Sequence, residues 1–168
     1  MRIIDPMIEE FKHEAAITRK CFQHIPDGQW EWTPHERSMS MGRLASHIQE
    51  IPEWLSEITD KDTFVMPEDY KPSVASGKEE LLRNWDGLVE QAVEKLNTVS
   101  DEKAMGTWTM QVGGNTVMEM PRVAVIRGIL LNHLIHHRGQ LSVYLRLAGG
   151  TVPSIYGPSA DDDGGMGG

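Results

Sequence analysis

Four separate stretches of this chain carry apolar residues at alternating intervals of three and four, the rhythm a helix needs to bury one face. In the first, over about residues 5–25, Ile4, Ile8, Phe11, Ala15, Thr18, Phe22 and Ile25 share a stripe. Asp5 reads as the N-cap, Pro6 suits the first turn, and Pro26-Asp27-Gly28 ends the helix. The second, over about 40–58, runs Met41, Leu44, Ile48, Ile51, Leu55 and Ile58. Pro52 lies inside it, so a bend is expected there, with the carbonyl of Ile48 losing its partner. The third, over about 77–96, is striped by Leu82, Trp85, Val89, Ala92 and Leu96, with Ser76 and Glu79 as a capping-box signature. The fourth, over about 121–148, carries Ile126, Leu130, His133, His137, Leu141, Tyr144 and Ala148, and stops at Gly149-Gly150.

These stripes predict an all-α fold, a four-helix bundle. Before the last helix, Thr107 to Met120 changes character: β-branched residues flank Gly113-Gly114-Asn115, which reads as a short hairpin or extended loop. The connections around 59–76 and 97–120 are long enough to cross the bundle, so up-down-up-down order is not required. The 168 residues argue for one domain, over 1–160, followed by a Gly/Asp-rich tail, 161–168, expected to be mobile. A chain of this size buries roughly 70% of its unfolded surface, enough for a core without staples. The single cysteine, Cys21, excludes a disulfide framework and a cysteine zinc ribbon, and reads as a filler on the flank of the first helix.

No run of 18 apolar residues spans a membrane, and the opening MRIIDPMIEEFKHE lacks the apolar core of a secretory signal. The expected compartment is therefore the cytoplasm, without a membrane partner. A net charge of −9 opposes binding to phosphate backbones, so a nucleic-acid partner is not expected.

Chemistry concentrates in the histidines. At about 100° per residue, His13 and His24 fall roughly opposite the stripe of the first helix and read as solvent-facing. His35 lies in a loop with no evident partner. On the fourth helix His133 and His137 are four apart, on one face and at the centre of the apolar stripe. Each imidazole has two ring nitrogens to satisfy, and burying them unpaired is costly. A divalent metal would take one nitrogen from each, with His47 on the inward shoulder of the second helix as the third ligand. Three neutral imidazoles leave a coordination position open, the pattern of a catalytic rather than a structural site. The alternative is a buried polar patch of histidines, Asn132 and Gln140 joined by water. Glu50 lies roughly 130° from its helix stripe and reads as solvated. Trp54, seven residues after His47, reads as packing or as the wall of a pocket above the metal.

Other templates do not fit. No Glu-x-x-His pair occurs on two helices, which argues against a carboxylate di-iron centre. The fourth helix reads His-Leu-Ile-His-His, not the His-Glu-x-x-His of zinc proteases. No Gly-rich phosphate loop and no nucleophile elbow is present.

Two segments, MGRLASHIQEIPEWL and NHLIHHRGQLSVYLRLAGGTVPSIYGPSADD, resemble the DinB family, a bacterial damage-inducible group related to the bacillithiol- and mycothiol-dependent S-transferases and isomerases. The resemblance extends to about Asp163 and is most specific in H-x3-H-R-G-Q-L and the YGPSAD tail. It implies a four-helix bundle, commonly a homodimer, with a divalent zinc, nickel or iron held by three histidines. Here those positions are His47, His133 and His137.

Two functional readings follow. The first is a metal-dependent enzyme that transfers a low-molecular-weight thiol to a small electrophilic substrate, or hydrolyses such a substrate, in a stress or damage response. The metal would hold the thiol or water deprotonated near neutral pH. Gln140 points closest to the site, and His136, on the flank, is the candidate for proton transfer. The second is a metal- or small-ligand-binding stress protein without turnover.

Overall fold

The computed structural model describes residues 1–164. Helix α1 (Asp5–Gln23) starts one residue earlier than expected, with Ile4 at its N-cap and no side-chain cap. The Asp5 carboxylate turns back instead to accept the Arg2 backbone N–H at 2.7 Å and its Nε at 2.9 Å. Helix α2 (Met41–Glu50) is capped by Ser40, whose hydroxyl accepts the Arg43 N–H at 3.2 Å. At Pro52 the helix tightens into a 3₁₀ turn, Ile51–Glu53, and resumes as α3 (Trp54–Asp60). The Ile48 carbonyl is not orphaned there, because the Ile51 N–H donates to it. Tightening by one residue re-satisfies the group that proline would have stranded.

Helix α4 (Lys78–Asn97) follows a cap at Gly77, and its box uses Glu80 rather than Glu79: the Ser76 N–H and hydroxyl both donate to Glu80 Oε2, at 2.7 and 2.5 Å. The short α5 (Asp101–Met105) leads into a hairpin, β2 (Thr107–Val112) and β3 (Asn115–Pro121). Its turn holds Gly113 and Gly114 at φ +55° and +77°, the positive values a two-residue hairpin demands.

The chain is not all-α. A third strand, β1 (Thr63–Val65), pairs in parallel with β2 through Thr63–Thr109, Phe64–Met110 and Val65–Gln111, giving a sheet ordered β1-β2-β3. It comes from the α3–α4 connection, three residues too short to declare a period. The last bundle helix is α6 (Arg122–Ile126), a π-helical stretch Arg127–His133 and α7 (Leu134–Leu147).

In the bundle, α1 packs on α4 and α7, and α2 packs on the same two, so the first two bundle helices are diagonal. The Arg2 guanidinium donates to Asn97 O at 2.6 Å and Lys78 Nζ to Ile25 O at 3.0 Å, so α1 and α4 run antiparallel. The Ala75 N–H donates to Ser46 Oγ, while Lys95 pairs with Asp60 further on, so α4 runs parallel to α2–α3. The connection between them therefore returns along the length of the bundle, as its length allowed.

The core is filled by Phe11, Phe22, Ile48, Leu55, Trp85, Trp108 and Leu141. Trp85 meets Phe22 edge-on at 5.3 Å and donates its indole N–H to Ala15 O at 3.3 Å. Gly42 is required sterically: a Cβ there would come within 2.4 Å of the Trp30 indole. No helix of the described residues is long and apolar enough to cross a membrane. Part of the tail 161–168 lies outside the described residues; within them Asp161 accepts the Val152 N–H at 2.9 Å and Asp162 the Ser154 N–H at 2.8 Å.

Candidate metal centre

The core face of the fourth bundle helix is offset by one residue from the expected stripe. Leu134, Arg138, Leu141 and Leu145 are buried, whereas His133, His137 and Tyr144 are half-buried beside them. The π-helical stretch explains the offset. Its i→i+5 bonding holds one more residue per turn than an α-helix, so the stripe after His133 is displaced relative to the one before. The two histidines therefore stand on the shoulder facing α2, at a seam reached by solvent, and not at mid-core.

From α2, His47 completes the group. His47 Nε2 lies 3.2 Å from His133 Nε2, and His137 Nε2 lies 2.7 Å from it. One nitrogen from each of the three rings lies within 4.8 Å of the others, and all three residues are half-buried. The Gln140 side-chain oxygen stands 2.7 Å from His137 Nδ1, where it accepts that nitrogen's proton and leaves Nε2 as a lone pair. Burial and the neighbouring imidazoles push the His133 pKa down to about 4. Burial also lowers that of His137, partly opposed by Gln140. The rings of His133 and His137 are thus neutral at physiological pH.

Three imidazoles with converging Nε2 atoms do not satisfy one another. One proton bridges one pair and leaves a further lone pair facing nitrogen. A cation resolves the conflict: four-coordinate zinc would set the nitrogens about 3.3 Å apart, and the His47–His133 pair lies at 3.2 Å. These three residues therefore fit a divalent ion and can hold one. Imidazole donors suit zinc, nickel, copper and iron alike.

The remaining residues sort clearly. His136 is exposed, its ring centroid 4.8 Å from that of His137, and Gln140 is exposed with its oxygen on His137. Asn132 is exposed and contributes nothing to a buried patch. His13 is exposed; His24 is half-buried with Nδ1 2.7 Å from Thr151 Oγ1; His35 Nδ1 accepts the Arg37 N–H at 3.1 Å. None of these joins the cluster. Cys21 is fully buried in the core, and burial pushes its thiol up to about 11.

Glu50, expected in solvent, is buried. Its Oε1 accepts from Arg43 at 3.0 Å, the Tyr70 hydroxyl donates to its Oε2 at 3.4 Å, and that oxygen lies 3.8 Å from His47 Nδ1. The helical angle misled because α2 is not buried by one neighbour. The returning connection lays Tyr70 over a face that the bundle alone would leave open. Glu50 also lines a cleft of about 290 Å³ with Glu53, Trp54, Glu57, Phe64, Pro67 and Tyr70. Trp54 meets Phe64 edge-on at 5.2 Å and walls that cleft, whose lining includes none of the three histidines.

Residues 3–163 match the DinB family. The chain is 27% identical over 160 residues to uncharacterized protein YrdA of Bacillus subtilis, covering 95% of this chain and 91% of that protein. Among solved structures it resembles a DinB-like protein of Bacillus cereus, with TM-score 0.68 and 23% identity over 88% of this chain and 94% of that one. It also resembles the DinB-like protein YjoA of Bacillus subtilis, with TM-score 0.69 and 19% identity over 90% and 98% of the two chains. At these identities the solved structures speak for the fold.

Proposed function

The chain belongs to the DinB family, and on that premise we propose that it is a divalent-metal-dependent enzyme acting on a small electrophilic substrate, with His47, His133 and His137 as the metal ligands. The observation that carries this reading is the convergence of three imidazole nitrogens at a solvent-reached seam, with no fourth protein ligand among the described residues. A divalent ion with an open position supplies Lewis acidity, stabilising the deprotonated form of a thiol or of water near neutral pH.

The chain's own residues do the rest. Gln140 fixes the proton of His137 on Nδ1 and so holds its Nε2 toward the shared point. His136, exposed beside His137, would exchange a proton between solvent and a nucleophile arriving at the seam. The buried leucines behind the ligands keep water from the inner side of the site. The favoured reaction is transfer of a low-molecular-weight thiol, with hydrolysis as the variant in which water takes the thiol's place.

The test is metal analysis of the purified protein, then incubation of the loaded protein with bacillithiol, mycothiol, coenzyme A or glutathione and a test electrophile. Thiol consumption that requires metal and disappears in His133→Ala is expected. Stoichiometric metal with neither thiol consumption nor hydrolysis across that set would favour a binding protein without turnover. Absence of metal binding would end both readings.

A further inference from the structure

We propose that Glu50 is the positioning residue for His47: its buried carboxylate decides which ring nitrogen carries the proton, and so which one is free for a cation. The inference deepens the metal reading above and rests on it for one of its two readouts.

The geometry leaves His47 little choice. Its Nδ1 is a buried nitrogen with no hydrogen-bond partner among the described residues. The group facing it is Glu50 Oε2, at 3.8 Å. Were Nδ1 unprotonated, its buried lone pair would point at the oxygen of a buried carboxylate, and the two would repel. Were Nδ1 protonated, the same contact becomes attractive, and closing it by about 1 Å gives a charge-assisted hydrogen bond. The proton belongs on Nδ1 for that reason, and Nε2 is left as the lone pair 3.2 Å from His133 Nε2.

Glu50 is itself held in place from two sides. Arg43, seven residues earlier on the same helix, bonds its Oε1 and offsets its charge; Tyr70, from the returning connection, bonds its Oε2. The carboxylate cannot swing away from His47 without breaking one of these contacts. Its counterpart on the other helix is Gln140, which plays the same part for His137 with a neutral oxygen. Each of these two ligands is thus backed by an acceptor on its own helix, three residues further along the chain. Such outer partners fix ring orientation and tautomer at metal sites, and losing one commonly weakens binding 10- to 100-fold.

The experiment reads the proton directly. Long-range proton–nitrogen spectra of the ¹⁵N-labelled, metal-free protein at pH 8 report the tautomer of each histidine, with His47 identified by the loss of its signals in His47→Gln. The expected result is His47 protonated on Nδ1 in the wild type and in Arg43→Met, which keeps the carboxylate. In Glu50→Leu the proton is expected to move wholly or partly to Nε2, and zinc affinity to fall 10- to 100-fold. A residue serving only as Arg43's ion-pair partner would leave the tautomer unchanged in both variants.

His47 protonated on Nε2 in the wild-type protein overturns the proposal, whether or not Glu50→Leu folds. So does a Glu50→Leu protein with wild-type tautomer and wild-type zinc affinity. A wild type that binds no zinc yet shows the Nδ1 proton and its dependence on Glu50 would refute the metal reading and leave the positioning of His47 standing.

Discussion

His137 and Arg138 are consecutive residues that enter two polar clusters of opposite kind. Arg138 points into the bundle, 1% exposed, against Glu14 at 6%. Its Nη1 reaches the Glu14 carboxylate at 2.5 Å and backbone oxygen at 3.1 Å, and its Nη2 donates to the Tyr156 hydroxyl at 2.6 Å. That hydroxyl donates in turn to Glu14 Oε2 at 2.8 Å. No buried side-chain atom of Arg138 or Glu14 lacks a partner. On the other side of the same helix, the histidine nitrogens face one another without enough protons to go round, and His47 Nδ1 has no hydrogen-bond partner. The first cluster is closed within the chain and ties α1, α7 and the segment that follows α7 together. The second is left open, and its three rings could hold a metal ion. Polar groups that a protein satisfies internally build the scaffold; those it leaves facing a common point mark where a ligand belongs.

Breaking the closed cluster should cost most. Arg138→Met leaves Glu14 as an uncompensated buried charge, and a loss of about 3–5 kcal/mol in urea unfolding is expected. Adding Glu14→Leu to Arg138→Met should recover most of that loss, because the stranded charge goes with it. A loss that persisted in the double variant would show that the pair contributes more than mutual compensation.

The open cluster should behave in the opposite sense. His133→Ala in the metal-free protein should change stability by no more than about 1 kcal/mol, since it removes a half-exposed, poorly satisfied ring. Zinc at a hundred times its dissociation constant should stabilise the wild type by about 2.7 kcal/mol and leave His133→Ala unmoved. Equal stabilisation of both proteins would place the ion elsewhere.

The smallest effect sharpens how the closed cluster is strapped. The Asp161 carboxyl is held below its ordinary 3.8 by Arg146 and the Val152 N–H, and that of Asp162 by the backbone N–H groups of Ser154 and Gly164. A carboxyl with a depressed folded-state pKa contributes stability above its unfolded value and loses it as pH falls through the folded one. Amide exchange at Val152 and Ser154, corrected for intrinsic rate, should therefore speed up below about pH 3.8 while the bundle helices stay protected. Unchanged protection at those amides down to pH 2 would show that the carboxylates do not hold the segment.

Much of this was legible in the residues. Four apolar stripes gave four bundle helices, and the hairpin turn was marked by Gly113-Gly114. Helical spacing alone sets His133 and His137 on one face and His47 on the inward shoulder of its helix. What escaped depended on distant contacts. The three residues of β1 become a strand only because β2 offers its edge. Glu50 is buried because Tyr70 arrives from twenty residues away. Arg138, a charged residue that no apolar stripe marks, is a core residue, because one extra residue in a wide turn rotates the end of the helix.

That wide turn makes the length of the last bundle helix a constraint in its own right. At its start Arg122 is buried, donating to Ile58 O at 2.9 Å and Lys61 O at 3.0 Å; at its far side stand the converging histidine rings. Removing one residue, such as the exposed Gly128, would let the backbone relax to ordinary pitch and swing one set of anchors about 100° against the other. Either the grip on the crossover or the meeting of the imidazoles would be lost. Between Arg122 and His133 the protein has to conserve a count, not a vocabulary: spelling may drift there, but a letter cannot be dropped.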